Sequence, residues 1–141
     1  MKGESGMKEL VIEARRDNLN EVLAFVDEEL EKLDCPIKTQ MTIDIAVEEI
    51  YINIASYAYR PGTGNAVIRM EVEEDPLAVM LTFIDSGMPY NPLAKEDPDI
   101  TLSAEERQID GLGIYMVKKS MDDVSYKFED GKNIFSIKKL I

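Results

Sequence analysis

The chain has no histidine, no tryptophan and a single cysteine, Cys35. Without histidine, imidazole acid–base work and His-ligated metal chemistry are excluded, and one thiol can neither close an internal disulfide nor build a soft zinc site. Basic charge is scarce as well: 16 Lys and Arg stand against 28 Asp and Glu, for a formal net charge of −12. Such a chain repels phosphate backbones, so the electrostatic term behind nonspecific nucleic-acid binding is absent and no direct nucleic-acid partner is expected. A polyanionic ligand would have to be held locally, by backbone N–H groups, a bound cation or a few placed basic side chains. Long apolar runs are missing too. The nearly continuous stretch LAVMLTFI, Leu77 to Ile84, is far short of the roughly 20 residues a spanning helix needs. With the polar leader MKGESG, which lacks a signal-peptide pattern, this implies a cytoplasmic protein and no membrane partner.

What remains suits one domain. The 141 residues are 45% hydrophobic and 31% charged, and the sequence reads as a single domain over 1–141 with a flexible leader at 1–6. KELVIEAR, Lys8 to Arg15, mixes apolar and polar residues over a strand's length and is expected at a sheet edge. Asn18 followed by Glu21 resembles a capping box, and Leu19, Val22, Leu23, Val26, Leu30 and Leu33 then keep a helical period to near Asp34. Pro36 opens the approach to a second helix, Ile43 to Tyr59. Ile68, Met70 and Val72 alternate with Arg69, Glu71 and Glu73, and a Glu74-Asp75-Pro76 turn leads into the apolar stretch, so two antiparallel strands are expected. Near the end Val124, Tyr126 and Phe128 alternate, Asp130-Gly131 makes a hairpin turn, and Asn133 to Leu140 returns as the last strand.

The helix from Ile43 to Tyr59 carries two stripes. Ile43, Val47, Ile50, Ile54 and Tyr57 form an apolar face for a core. About 100° round the axis, Thr42, Ala46, Glu49, Asn53 and Ser56 set a carboxylate and a carboxamide one turn apart among small side chains, which could wall a ligand site. Glu48 points away from Asn53 at this spacing, toward the side of Tyr51 and Ile52. The same pair of residue types also occurs on solvated helix flanks, so the stripe alone carries no function. Asp85-Ser86-Gly87-Met88-Pro89 ends a strand with a carboxylate and then a residue that is all backbone. A flat ring could lie there, with Asp85 accepting from an exocyclic amine, although Asp-Ser-Gly is equally ordinary turn chemistry. Asn91 to Asp110 loses hydrophobic periodicity and reads as a lid-like loop, in which Ser103 and Glu106 would cap a short helical turn and Arg107 is the one arginine. Gly111-Leu112-Gly113 then opens a helix with a core face at Ile114, Val117 and Met121, where free N–H groups and the helix dipole favour phosphate.

This order, Glu-x-x-x-Asn on a helix, strand-Asp-x-Gly, a long loop and Gly-x-Gly opening a helix, resembles the GHKL ATPase superfamily of histidine kinases, gyrase-type topoisomerases and MutL proteins. AVEEIYINIASYAY, DSGMPYNP and GLGIYMVKKSMDDVSY, in that order, are most similar to the small anti-sigma-factor serine/threonine kinases within it. The resemblance implies an α/β two-layer sandwich of the histidine-kinase-like ATPase type, a mixed, mostly antiparallel sheet covered on one face by three helices. ATP would lie between the helices and a lid at 91–110. ATP and Mg2+ are the implied cofactors, with Asn53 as magnesium ligand, Glu49 as general base, Asp85 on the adenine amine and Gly87 letting the ring lie close. Gly111 and Gly113 would cradle phosphate, and Arg107 would be a lid contact. The chain departs from the family at Gly131-Lys132-Asn133, where a threonine near adenine is common. The implied function is an anti-sigma factor that binds a sigma factor and phosphorylates an antagonist protein on serine or threonine. A non-catalytic ATP-binding module and a serine kinase of another signalling switch stay open beside it, and a homodimer is compatible with the sequence.

Overall fold

The computed structural model describes residues 6–94 and 109–141. In chain order these form β1 (Lys8–Glu13), α1 (Leu19–Lys32), α2 (Ile37–Asn53), β2 (Asn65–Glu73), β3 (Ala78–Asp85), α3 (Ile109–Ser120), β4 (Asp123–Glu129) and β5 (Lys132–Leu140). The strands make one sheet in the order β1-β2-β3-β5-β4. Each neighbouring pair is antiparallel, so the parallel member of a mixed sheet is not present among the described residues. The cause is the last hairpin, which lays its second strand, not its first, beside β3 and so reverses the chain once more before it pairs.

Register explains the two layers. Ile68, Phe83 and Phe135 stand opposite one another across β2, β3 and β5, as do Met70, Leu81 and Ile137, and strand alternation puts both rows on one face. All six join a buried cluster with Val22, Val26 and Leu30 of α1, Ile43, Val47 and Ile50 of α2, and Val117 of α3. The other face carries the Arg69–Glu9 ion pair at 2.7 Å and the Thr82–Ser136 hydroxyl contact at 3.3 Å. The helices therefore cover one side of the sheet, as expected. No helix among the described residues is long and apolar enough to cross a membrane.

Several expectations shift. The second helix starts at Ile37, not Ile43. Lys38, Thr39 and Gln40 look like a polar approach, yet Gln40 is buried and the Thr42 hydroxyl donates to the Lys38 carbonyl at 3.0 Å, an intrahelical contact. At its other end α2 passes into a π-helical turn, Ile54–Ala58. The wider turn puts later side chains out of phase with the preceding α-helix, and Tyr57 stands 51% exposed instead of joining the core stripe. Glu48 is exposed as expected, but Tyr51 is fully buried and does not share its side. The Tyr51 hydroxyl accepts the Arg15 N–H at 3.1 Å and lies 2.7 Å from the Arg15 carbonyl, tying the end of β1 to α2. No capping box forms at α1, because the Asn18 amide donates to the Glu13 carbonyl at 2.9 Å. α3 begins at Ile109 and includes both glycines, so the loop ends earlier than Asp110. The cap at Ser103 and Glu106, and Arg107, lie outside the described residues.

Candidate functional site

The site is built on the flank of α2 that does not face the sheet. Asn53 Nδ2 lies 3.4 Å from Glu49 Oε2, so the pair keeps the one-turn spacing read from the sequence. With the amide N–H turned to Glu49, Asn53 Oδ1 has no hydrogen bond among the described residues. Burial pushes the Glu49 carboxyl above the usual carboxylate range; the Asn53 contact pulls it back and the neighbouring Glu48 charge adds to the rise.

α3 closes on this pair through a glycine. A Cβ at Gly113 would fall 2.1 Å from the Glu49 carboxyl carbon, so any side chain there would push the carboxylate out of its present place against the helix backbone. The other glycine, Gly111, falls in the first turn of α3, where the first four N–H groups have no partner within the helix.

At the far end of α2 the turn after β3 comes in equally close. A Cβ at Gly87 would lie 2.1 Å from the Ala58 carbonyl oxygen, which instead accepts the Met88 N–H at 3.0 Å. Tyr59 staples the same turn, accepting the Ser86 N–H at 2.7 Å while its hydroxyl donates to the Asn65 carbonyl at 2.6 Å. This holds Asp85 in a buried position, 6% exposed, with Oδ1 accepting from Gly87 N–H and Asn133 Nδ2, each at 2.9 Å. Asp85 Oδ2 has no donor among the described residues.

Asn133 sits opposite Asp85 in the β3–β5 register and is itself buried. Its amide also donates to the Met88 carbonyl at 2.8 Å, and its oxygen accepts the Tyr90 N–H at 3.1 Å and the Tyr126 hydroxyl. Sequence reading registered Asn133 only as a departure. The signal lay in strand register, which places it across from Asp85 and which single residues do not reveal.

Between these two ends lies a cavity of about 460 Å³, lined by Asn53, Asp85, Tyr126 and Asn133 together with apolar side chains such as Ile50, Ile54, Ile114 and Phe135. Its size and its few convergent polar groups suit a small organic ligand. Asp85 and Asn53 face it; Glu49 stands one turn beyond Asn53 and is not part of the lining. Tyr57 and Arg60, neither singled out from the sequence as a site residue, border it as well. No group of three or more Cys, Asp or Glu among the described residues could hold a metal ion, so Asn53 Oδ1 is a single hard-oxygen donor and not part of a protein cage.

Residues 12–139 match the histidine kinase-like ATPase domain family. The chain is 31% identical over 98 residues to the serine-protein kinase RsbW of Bacillus cereus (strain AH187), a match covering 67% of this chain and 60% of that protein. It is 28% identical over 96 residues to the serine/threonine-protein kinase BtrW of Bordetella bronchiseptica, covering 68% of this chain and 67% of the relative. Among solved structures, the RsbU and RsbW domains of Rv1364c from Mycobacterium tuberculosis superpose with a TM-score of 0.66 at 16% identity, over 94% of this chain and 32% of that one. The SiaB–SiaC complex from Pseudomonas aeruginosa gives 0.58 at 18% identity, over 99% and 93%; identities this low speak to the fold alone. The motifs, the two-layer architecture and the match over nearly the whole length agree: the chain belongs to the histidine kinase-like ATPase domain family, with serine-protein kinases of the RsbW and BtrW kind among its relatives.

Proposed function

We propose that the chain binds ATP with Mg2+ in the cavity beside α2 and transfers the terminal phosphate to a serine or threonine of an antagonist protein, and that it also binds a sigma factor. The observation that carries the nucleotide part is Asp85, buried and oriented by Gly87 and Asn133, with one oxygen at the cavity wall that has no donor among the described residues. That oxygen would accept from the adenine amine. Gly87 keeps the turn close to α2, and the ring would lie against it. Toward α3, Asn53 Oδ1 would hold magnesium, whose bound form neutralises phosphate charge and leaves the rest of its shell to phosphate and water. The first-turn N–H groups of α3 around Gly111, and Gly113 behind them, would meet the phosphates. Arg107 would be an additional phosphate contact from the lid.

Glu49 is the general base in this reading, taking the hydroxyl proton as the serine oxygen attacks phosphorus and ADP leaves. Its raised pKa moves it toward the working pH, where a base is most effective. The names of the relatives support kinase activity, and the sigma-factor partner is supported by the motif resemblance. Because the match spans 60% of the RsbW relative's length, activity and partners are proposals for this chain. A cytoplasmic location is part of this reading. A homodimer would use the open sheet face, where Val11, Val67, Ile84 and Ile134 form an apolar row across four strands.

A second reading, an ATP-binding module without transfer, is favoured by one observation: Glu49 rests on Gly113 outside the cavity lining. Titrating ATP with and without magnesium, then following γ-labelled phosphate onto candidate antagonist proteins, separates the two. Binding with transfer supports the kinase; binding with no transfer to any antagonist leaves the module. A kinase of another signalling switch would show transfer without sigma-factor association.

A further inference from the structure

Arg60 lies just after the π-helical turn that follows α2 and borders the cavity. Its guanidinium stands over the Tyr57 ring, 5.3 Å from the centroid, a contact that holds a cation in place without neutralising it. Among the described residues it is the one basic side chain lining this cavity, and it has no carboxylate partner, although the sequence holds 28 Asp and Glu. A held but unpaired arginine on the rim of a ligand cavity, in a chain of net charge −12, is placed to meet an anion.

Position along the chain selects which part of the ligand it meets. The Asp85 end of the cavity abuts Ala58, two residues before Arg60, whereas Asn53 ends α2, separated from Arg60 by the whole π-helical turn and Tyr59. Resting on the ATP-binding reading, we infer that Arg60 recognises the phosphate nearest the ribose, and that the terminal phosphate lies beyond its reach, toward Asn53 and Gly113. The planar fork of N–H donors suits two phosphate oxygens, and stacking on Tyr57 restricts the side chain before the ligand arrives.

The test is Arg60→Gln in the full chain, titrated calorimetrically with adenosine, AMP, ADP and ATP. AMP, ADP and ATP should each bind about tenfold more weakly than to the unaltered protein, adenosine should bind equally well, and the salt dependence of AMP binding should flatten. The melting temperature should not move, since the side chain is exposed and makes no ion pair among the described residues. Unchanged AMP affinity, or a loss confined to ATP, overturns the assignment, as does an equal loss for adenosine, which would mean stacking on the base. If the unaltered chain binds none of the four, the ATP reading fails and this inference fails with it.

Discussion

α2 presents a carboxylate to each of its two helical neighbours, and the two behave differently. Glu49 turns toward α3 and rests on Gly113; Asp44, five residues earlier, turns toward α1 and Asp27. Burial is the leading cause of a raised pKa at both. The next influence has opposite sign. Glu49 meets the Asn53 amide, which favours its charged form, whereas Asp44 shares a hydrogen bond with Asp27, feels the charges of Asp27 and Glu31, and is pushed up to about 7. One oxygen of Asp27 and one of Asp44 are buried with no hydrogen-bond partner among the described residues, and the Cys35 thiol nearby is raised by burial and by the Asp44 charge. The neighbour thus decides the charge state of a carboxylate: an amide beside Glu49 favours its ionised form, while another carboxylate beside Asp44 favours a proton held at the helix seam.

The largest effect expected on the Glu49 side is on chemistry. Glu49→Gln keeps the Asn53 contact and removes the base, so phosphoryl transfer should fall about 10²- to 10⁴-fold while ATP affinity changes little. Glu48→Gln, on the exposed flank, should leave transfer unchanged. Single-turnover assays of both variants check the contrast, and the reverse ranking would assign the base to the wrong face.

Next comes Asp85→Asn. The new side chain can keep the bonds from Gly87 and Asn133 through its oxygen and present an amine to the cavity, so the fold should hold while an adenine amine loses its acceptor. Nucleotide affinity should drop by about 1 to 3 kcal/mol. Equal affinity by calorimetry would remove Asp85 from base recognition.

Gly113→Ala attacks the contact that distinguishes the two sides of α2. The added Cβ must displace the Glu49 carboxyl group, so transfer should fall about tenfold or more, with no further loss when Glu49 is already Gln. Additive losses in that double-mutant cycle would show that Gly113 acts independently of Glu49.

The smallest effect lies on the Asp44 side and concerns stability. Folded Asp44 retains a proton that the unfolded chain releases near pH 4, so stability should fall as pH rises from about 4 to 7, with the penalty complete above the raised pKa. Asp44→Asn should flatten that slope and stabilise the fold at pH 8 by on the order of 1 kcal/mol, after discounting for the partial solvent exposure of the pair. Urea midpoints at pH 5 and pH 8 measure it; an unchanged slope would place the pair's titration elsewhere.

How much could be read in advance depended on the range of the interaction. Alternation in β2 and the helical period in α1 are local and matched the structure, as did Glu49 and Asn53 on one flank of α2. The first turn of α2 shows no apolar stripe in the sequence, because Lys38 and Gln40 are polar and only tertiary packing buries Gln40. Tyr57 left the apolar stripe because a π-helical turn changes the period, and no residue type announces such a turn.

By itself the sequence determined the regular helices and strands and the order of motifs that leads to the family, since these follow from periodicity and spacing along one chain. Only the tertiary structure decided which groups meet across space. The hydrogen bond joining Asp85 to Asn133 spans 48 positions, Gly113 of α3 admits Glu49 of α2, and Asp44 shares its environment with Asp27 of α1. Sheet register and helix-to-helix approach bring these pairs together, and both are set by how the whole core closes rather than by any local stretch.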